Sequence, residues 1–148
     1  MLDAVTKRAS SPGDTTFEPR TNFTVIRATQ DMRKGNSSVG VMLTAVNRSM
    51  DSWTSPYMAS DAYVGALDFR HKFFNNGYEV GGSLDYSHVR ASKEAMLNLQ
   101  TDAVHYYQRP DNDLPLDSSR TLLTGDAEEF RFGKVSGKHL MFETSYQR

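Results

Sequence analysis

Residues 61–90, DAYVGALDFRHKFFNNGYEVGGSLDYSHVR, form two arms that alternate apolar and polar side chains with matching parity across an Asn-Gly pair. That period belongs to a strand with one face against apolar surroundings and the other against water. Asn-Gly between two such arms favours a two-residue type I′ turn. With Asn76 and Gly77 at the tip, Asn75 pairs with Tyr78, which predicts Phe73 opposite Val80, Phe69 opposite Leu84 and Leu67 opposite Tyr86. The other face then pairs Lys72 with Gly81, Arg70 with Ser83 and Asp68 with Asp85. A one-residue slip would turn every side chain over, so agreement of faces constrains this segment to an antiparallel hairpin.

The same alternation recurs along the chain. Six strand candidates are legible, at 22–31, 38–48, 61–74, 78–90, 120–132 and 138–148. Residues 1–20, with Ser10-Ser11-Pro12-Gly13 and Pro19, read as an irregular lead-in, and 21–148 as a partial β-barrel domain. The connections alternate in length. Met32–Asn36, Asn75–Gly77 and Gly133–Gly137 are tight, whereas 49–60 and 91–119 are long, the second with room for a short helix at Ser92–Gln100 before Pro110 and Pro115. Short turns alternating with long loops are the mark of an up-and-down outer-membrane barrel. A loop near thirty residues is unusual inside a compact soluble domain.

Composition sets bounds. The 148 residues suffice for one ordinary domain, and 17 Lys and Arg against 18 Asp and Glu leave no basic footprint for nucleic acid. There is no cysteine, hence no disulfide framework and no thiolate chemistry. No apolar run is long enough for a transmembrane helix, and Met1-Leu2-Asp3 does not open a signal peptide. Low mean hydropathy is compatible with a barrel, because only alternate residues of each strand face lipid.

On this reading Val39, Val41, Leu43, Leu67, Phe69, Val80 and Leu84 face lipid or packed apolar surface, and Asp68, Arg70, Lys72 and Asp85 face a polar lumen. Aromatic residues near the strand ends (Phe23, Tyr63, Phe73, Phe74, Tyr78, Tyr86, Phe130, Phe132, Phe142 and Tyr146) suit interfacial girdles, or equally the core of a soluble sandwich. His105, Tyr106, Tyr107 and Arg109 form a candidate ligand loop, offering stacking surfaces to a sugar or peptide, or serving as an anchor against the barrel wall.

Other motifs point to no chemistry. His71, His88, His105 and His139 lack metal-ligand spacing. The run Asp111-Asn112-Asp113-Leu114-Pro115-Leu116-Asp117 lacks the glycine and distal glutamate of a calcium loop and reads as an acidic turn. Gly81-Gly82-Ser83 lies within a strand and is not a nucleophile elbow. The sequons at Asn22, Asn36 and Asn47 carry no assigned role. No catalytic set, cofactor or metal is expected.

The succession NFTVIRATQDMRKGNSSVGVMLTAVNRSMD, AYVGALDFRHKF and VHYYQRPD followed by SSRTLLTGDAEEFRFGK resembles a family of bacterial membrane-associated proteins of undefined function. In that family a carbohydrate-binding-family-9-like N-terminal module precedes a C-terminal outer-membrane β-barrel. The resemblance covers roughly residues 20–148, most clearly Val39–Arg48 and Tyr107–Asp111. It implies an outer-membrane location, a carbohydrate-associated parent, and no catalytic residues to carry over. Six strands fall short of the smallest closed bacterial barrel, which has eight, so the chain is expected to be a fragment of a larger barrel. The fold expected is all-β: an antiparallel up-and-down meander of about six strands, part of a transmembrane β-barrel with an anchoring or uptake role. Its partners would be outer-membrane lipid, the remaining strands of the parent and carbohydrate. The competing expectation is a soluble antiparallel sandwich or lipocalin-like module that binds carbohydrate or a small apolar ligand.

Overall fold

A computed structural model describes residues 1–104 and 114–148, together with the backbone of 108–109 and 112–113. Its elements are β1 (Leu2–Val5), β2 (Ala9–Ser10), β3 (Thr16–Glu18), β4 (Thr21–Met32), β5 (Ser37–Arg48), β6 (Ala59–Phe73), β7 (Tyr78–Ala91), α1 (Lys93–Thr101), β8 (Gln108–Arg109), β9 (Asn112–Asp113), β10 (Leu122–Lys134) and β11 (Phe142–Gln147). Seven strands form one antiparallel sheet in the order β1-β4-β5-β6-β7-β10-β11, and β2-β3 and β8-β9 are separate two-stranded ribbons. From β4 onward, sheet order follows chain order, as short connections between antiparallel neighbours require. The all-β antiparallel meander is as expected, with seven strands in place of about six. The sheet is open, with β1 and β11 as its edges.

Two expectations need correction. The lead-in is not wholly irregular: β1 pairs with β4, Leu2 opposite Val25 and Val5 opposite Asn22. The central hairpin is also built differently. Phe73 pairs with Tyr78, Lys72 with Glu79, His71 with Val80, Arg70 with Gly81, Phe69 with Gly82, Asp68 with Ser83 and Leu67 with Leu84. The tip is thus a four-residue loop, Phe74 to Gly77, not the two-residue Asn76-Gly77 turn. Phe74, Asn75 and Asn76 all take the left-handed conformation, at φ 49°, 54° and 61°. The Gly77 amide donates to the Phe74 carbonyl at 3.0 Å. Relative to the expected pairing, the partners move by two residues, which leaves every side chain on its original face. Alternation therefore could not distinguish the two registers. The observed one also stacks Phe73 on Tyr78, ring centroids 5.9 Å apart.

The β4–β5 turn, Arg33 to Asn36, is built alike, with Arg33, Lys34 and Gly35 at positive φ. In both turns the fourth residue's carbonyl accepts from the neighbouring strand pair: Asn36 O from Lys72 N at 2.7 Å, and Gly77 O from Val135 N at 2.9 Å. The turn end of the sheet is therefore laced together along its rim. The long connections leave and rejoin the sheet at the opposite end, where β5 ends at Arg48 and β6 begins at Ala59, and where β7 ends at Ala91 and β10 begins at Leu122.

Helix α1 begins at Ser92, whose Oγ accepts from Ala95 N at 3.1 Å and donates to the Ser55 carbonyl at 2.7 Å. It buries Ala95 and Met96, with Leu99, against Ala59, Ala91 and Leu123 at the loop end. Gln100, fully buried, donates to the Asp117 carbonyl at 3.1 Å and accepts from the Asp117 amide at 3.0 Å, tying the helix to the segment that leads into β10. This small cluster is the apolar core among the described residues.

The surface is correspondingly large. A 16.7 kDa chain exposes 10358 Å², where a compact monomer of that mass exposes about 7,600 Å². Much of the exposed apolar surface lies on the sheet, neither face of which is covered by a second layer among the described residues.

Candidate functional site

Strand pairing assigns each side chain to a face. One face carries Ile26 and Ala28 of β4, then Val39, Val41 and Leu43 of β5, Leu67 and Phe69 of β6, and Val80 and Leu84 of β7. Leu67 is 55 % exposed, Leu84 50 % and Val39 48 %, although all three sit in the middle of a seven-stranded sheet. All seven residues expected to share an apolar face do share it. Toward the turn end the face is closed by an aromatic row. Phe73, Tyr78, Phe132 and Phe142 run across β6, β7, β10 and β11, with successive centroids 5.9, 6.1 and 6.0 Å apart. Toward the loop end the Tyr63 hydroxyl donates to Asn47 Oδ1 at 2.6 Å, and the Tyr63 ring lies 5.9 Å from His88. From Tyr63 to Phe73 the strand rises about 33 Å.

Not every aromatic residue belongs to that face. Phe23 pairs with Val46 on the opposite side, near the loop end. The apolar face is also interrupted at β10–β11, where Asp126 and Glu128 share it with Arg148. The Arg148 guanidinium lies 3.0 Å from Asp126 and 3.3 Å from Glu128, so the three form one compact ionic group.

The opposite face bears Asp68, Arg70, Lys72 and Asp85, as expected, and further charged residues that the sequence reading passed over, among them Arg27, Asp31, Glu129 and Arg131. Each was missed because its partners lie dozens of residues away and emerge only with the register. The available signal was local alternation, in Val25-Ile26-Arg27-Ala28-Thr29 and in Glu129-Phe130-Arg131-Phe132.

Two glycines shape this face. Over Gly40 lies a two-pronged ion pair, Arg27 Nη1 to Asp68 Oδ2 at 2.7 Å and Nη2 to Oδ1 at 2.9 Å. A methyl group at Gly40 would collide with the Asp68 carboxylate and meet Arg27 Nη2 at 2.7 Å. Gly81 pairs with Arg70 on one side and Arg131 on the other, and Arg131 lies across it, Nε 3.3 Å from where a Cβ would be. Around them opens a hollow of about 350 Å³, whose charged lining is Arg27, Asp31, Asp68, Arg70, Glu129 and Arg131. Arg70 Nε is buried without an acceptor. Among the described residues its guanidinium makes one hydrogen bond, 3.4 Å from Nη2 to the Gly35 carbonyl. Below the hollow Lys72 faces Glu79 at 3.7 Å, and above it Ser83 Oγ donates to Asp85 Oδ2 at 2.9 Å.

At the loop end Asp51 organises its turn, accepting from Thr16, from the Thr54 amide and hydroxyl and from the Trp53 amide, which holds its carboxyl down at about 2. The Asp117 carboxyl is likewise held low, chiefly by the Ser119 hydroxyl and amide at 2.6 and 2.9 Å and also by Arg120. His71 Nδ1 lies 2.8 Å from Ser37 Oγ, engaged within the sheet. Among the described residues no three His, Cys, Asp or Glu converge as metal ligands, and no helix is long and apolar enough to cross a membrane. The candidate ligand loop, His105, Tyr106, Tyr107 and Arg109, and the acidic residues Asp111 and Asp113 lie outside the described side chains.

No protein-family model, curated protein or solved structure matches this chain.

Proposed function

We propose that this sheet is part of the wall of an outer-membrane β-barrel, anchoring its parent or admitting polar solutes, with no catalytic role. The carrying observation is an exposed apolar face, bounded by an aromatic row and backed by a half-buried charged face. Lipid on one side and water on the other satisfy both at once. Val39, Val41, Leu43, Leu67, Phe69, Val80 and Leu84 then contact lipid, and Asp68, Arg70, Lys72 and Asp85 line the lumen. The open edges β1 and β11 join the remaining strands of the barrel, because unpaired edges are sites of further pairing. The link to carbohydrate rests on the family resemblance alone.

One observation favours a second reading, a soluble sandwich or lipocalin-like module that binds carbohydrate or a small apolar ligand. The Asp126, Glu128 and Arg148 group is poorly suited to lipid, and a covering protein layer would accommodate it.

Because the chain has no cysteine, single-cysteine spin labels separate the two readings cleanly. In phospholipid vesicles, labels at Leu67→Cys and Leu84→Cys should be accessible to oxygen and shielded from a water-soluble nickel chelate, with the reverse at Ser83→Cys. A detergent-free monomer whose labels at Leu67 and Leu84 were shielded from both agents would replace the barrel with the sandwich.

A further inference from the structure

Charge on the polar face is arranged in rungs. One rung, Gly40-Asp68-Ser83-Glu129, is acidic, and the next toward the turns, Asp31-Ser38-Arg70-Gly81-Arg131, sets two guanidiniums on either side of Gly81 and one carboxylate at its β4 end. The residues between the charges are small, which leaves the hollow open. Within it Asp68 is neutralised by Arg27, but Arg131 and Glu129 make no ion pair and no side-chain hydrogen bond among the described residues. Arg70 adds a guanidinium whose Nη2 is held only by a long, 3.4 Å bond to the Gly35 carbonyl among the described residues. Two guanidiniums with free donors flanking one glycine form a fork for an oxyanion. A simple anion, however, would be repelled by the free Glu129 carboxylate one rung away, about 6.8 Å along the strand. A solute carrying both an oxyanion and an amine answers both groups.

We propose that this hollow binds a small zwitterion of the amino-acid or short-peptide class, its carboxylate on Arg70 and Arg131 and its ammonium on Glu129. The proposal rests on the polar face being a water-filled lumen and names the kind of solute received there. Removing the charge of Glu129 should act oppositely on zwitterions and on anions, which a merely basic patch would not do.

The test titrates the full chain in detergent micelles with glycylglycine and with succinate, followed by the amide resonances of Gly81 and Gly82. Glycylglycine should give saturable shifts and bind more tightly than succinate. Arg131→Gln should weaken it about tenfold, and Lys138→Gln, in the turn before β11, should leave it unchanged. Glu129→Gln should weaken glycylglycine severalfold and strengthen succinate. No saturable shift at Gly81, tighter binding of succinate by the unaltered chain, or strengthening of both probes by Glu129→Gln would each overturn the proposal. The spin-label pattern at Leu67 and Leu84 tests the barrel separately, so loss of one reading is not mistaken for loss of the other.

Discussion

Gly82 shows how tightly single residues constrain this sheet. Phe69 and Phe130 close over it with centroids 6.4 Å apart, and a methyl group there would collide with the Glu129 carbonyl and meet both rings at 3.1–3.2 Å. Backbone cannot yield as a side-chain tip can, so Gly82→Ala should cost about 1–3 kcal/mol. Gly65→Ala adds its methyl 3.5 Å from Leu43 Cδ2, an ordinary contact, and should be near neutral. Urea midpoints of the two variants in micelles check this, and equal losses would refute the distinction. Asp51 is the corresponding electrostatic position. Its carboxyl is depressed to about 2 from an ordinary 3.8, so it contributes stability above the unfolded value that is lost as pH falls through the folded one. The single tryptophan, Trp53, donates its amide to this carboxylate and reports on the turn. Trp53 fluorescence should hold from neutral pH to about 4 and change between about 4 and 2, and Asp51→Asn should abolish that step. A transition centred near pH 6 would point to another group. Residue roles of this kind were the least legible in the sequence, because Gly40, Gly81 and Gly82 acquire meaning only from strands paired beside them.

At the scale of elements, alternation identified the strands and their faces, and chain order identified their neighbours. The turn chemistry was read too simply: Asn76-Gly77 suggested a two-residue tip, but three successive left-handed residues make a four-residue one. Each such residue is strained unless it is glycine, by about 1–2 kcal/mol, and asparagine tolerates the conformation best among the others. Asn75→Val should therefore lower stability by about 1–2 kcal/mol, and Asn75→Gly should maintain or raise it. Unfolding midpoints settle the order. Were valine neutral, the left-handed run would not be intrinsic to the turn. β1 escaped the sequence reading because four residues of mixed character, Leu2-Asp3-Ala4-Val5, are too few for periodicity to register, and their strand character comes from pairing with β4.

For the molecule as a whole, the sequence indicated an all-β meander with one apolar and one charged face, but not how little of the chain would be enclosed. The core under α1 is small, and the apolar side chains of β5, β6 and β7 remain uncovered. Leu84→Arg should cost about 2–4 kcal/mol in vesicles if the residue lies near the bilayer midplane. A substitution on the charged face such as Ser83→Asn should cost far less, and equal costs would argue against the assignment of faces. The uncovered face also changes what stability means for this chain. Amphiphile that coats the folded sheet and has no matching surface on the unfolded chain acts as a ligand, and its contribution grows with the logarithm of its free concentration. The unfolding midpoint should therefore climb as the ratio of lipid to protein rises, whereas a protein with an enclosed core would unfold at one midpoint throughout. The sheet's fold strength is in that sense a binding curve, set by the solvent it is given as much as by its own contacts.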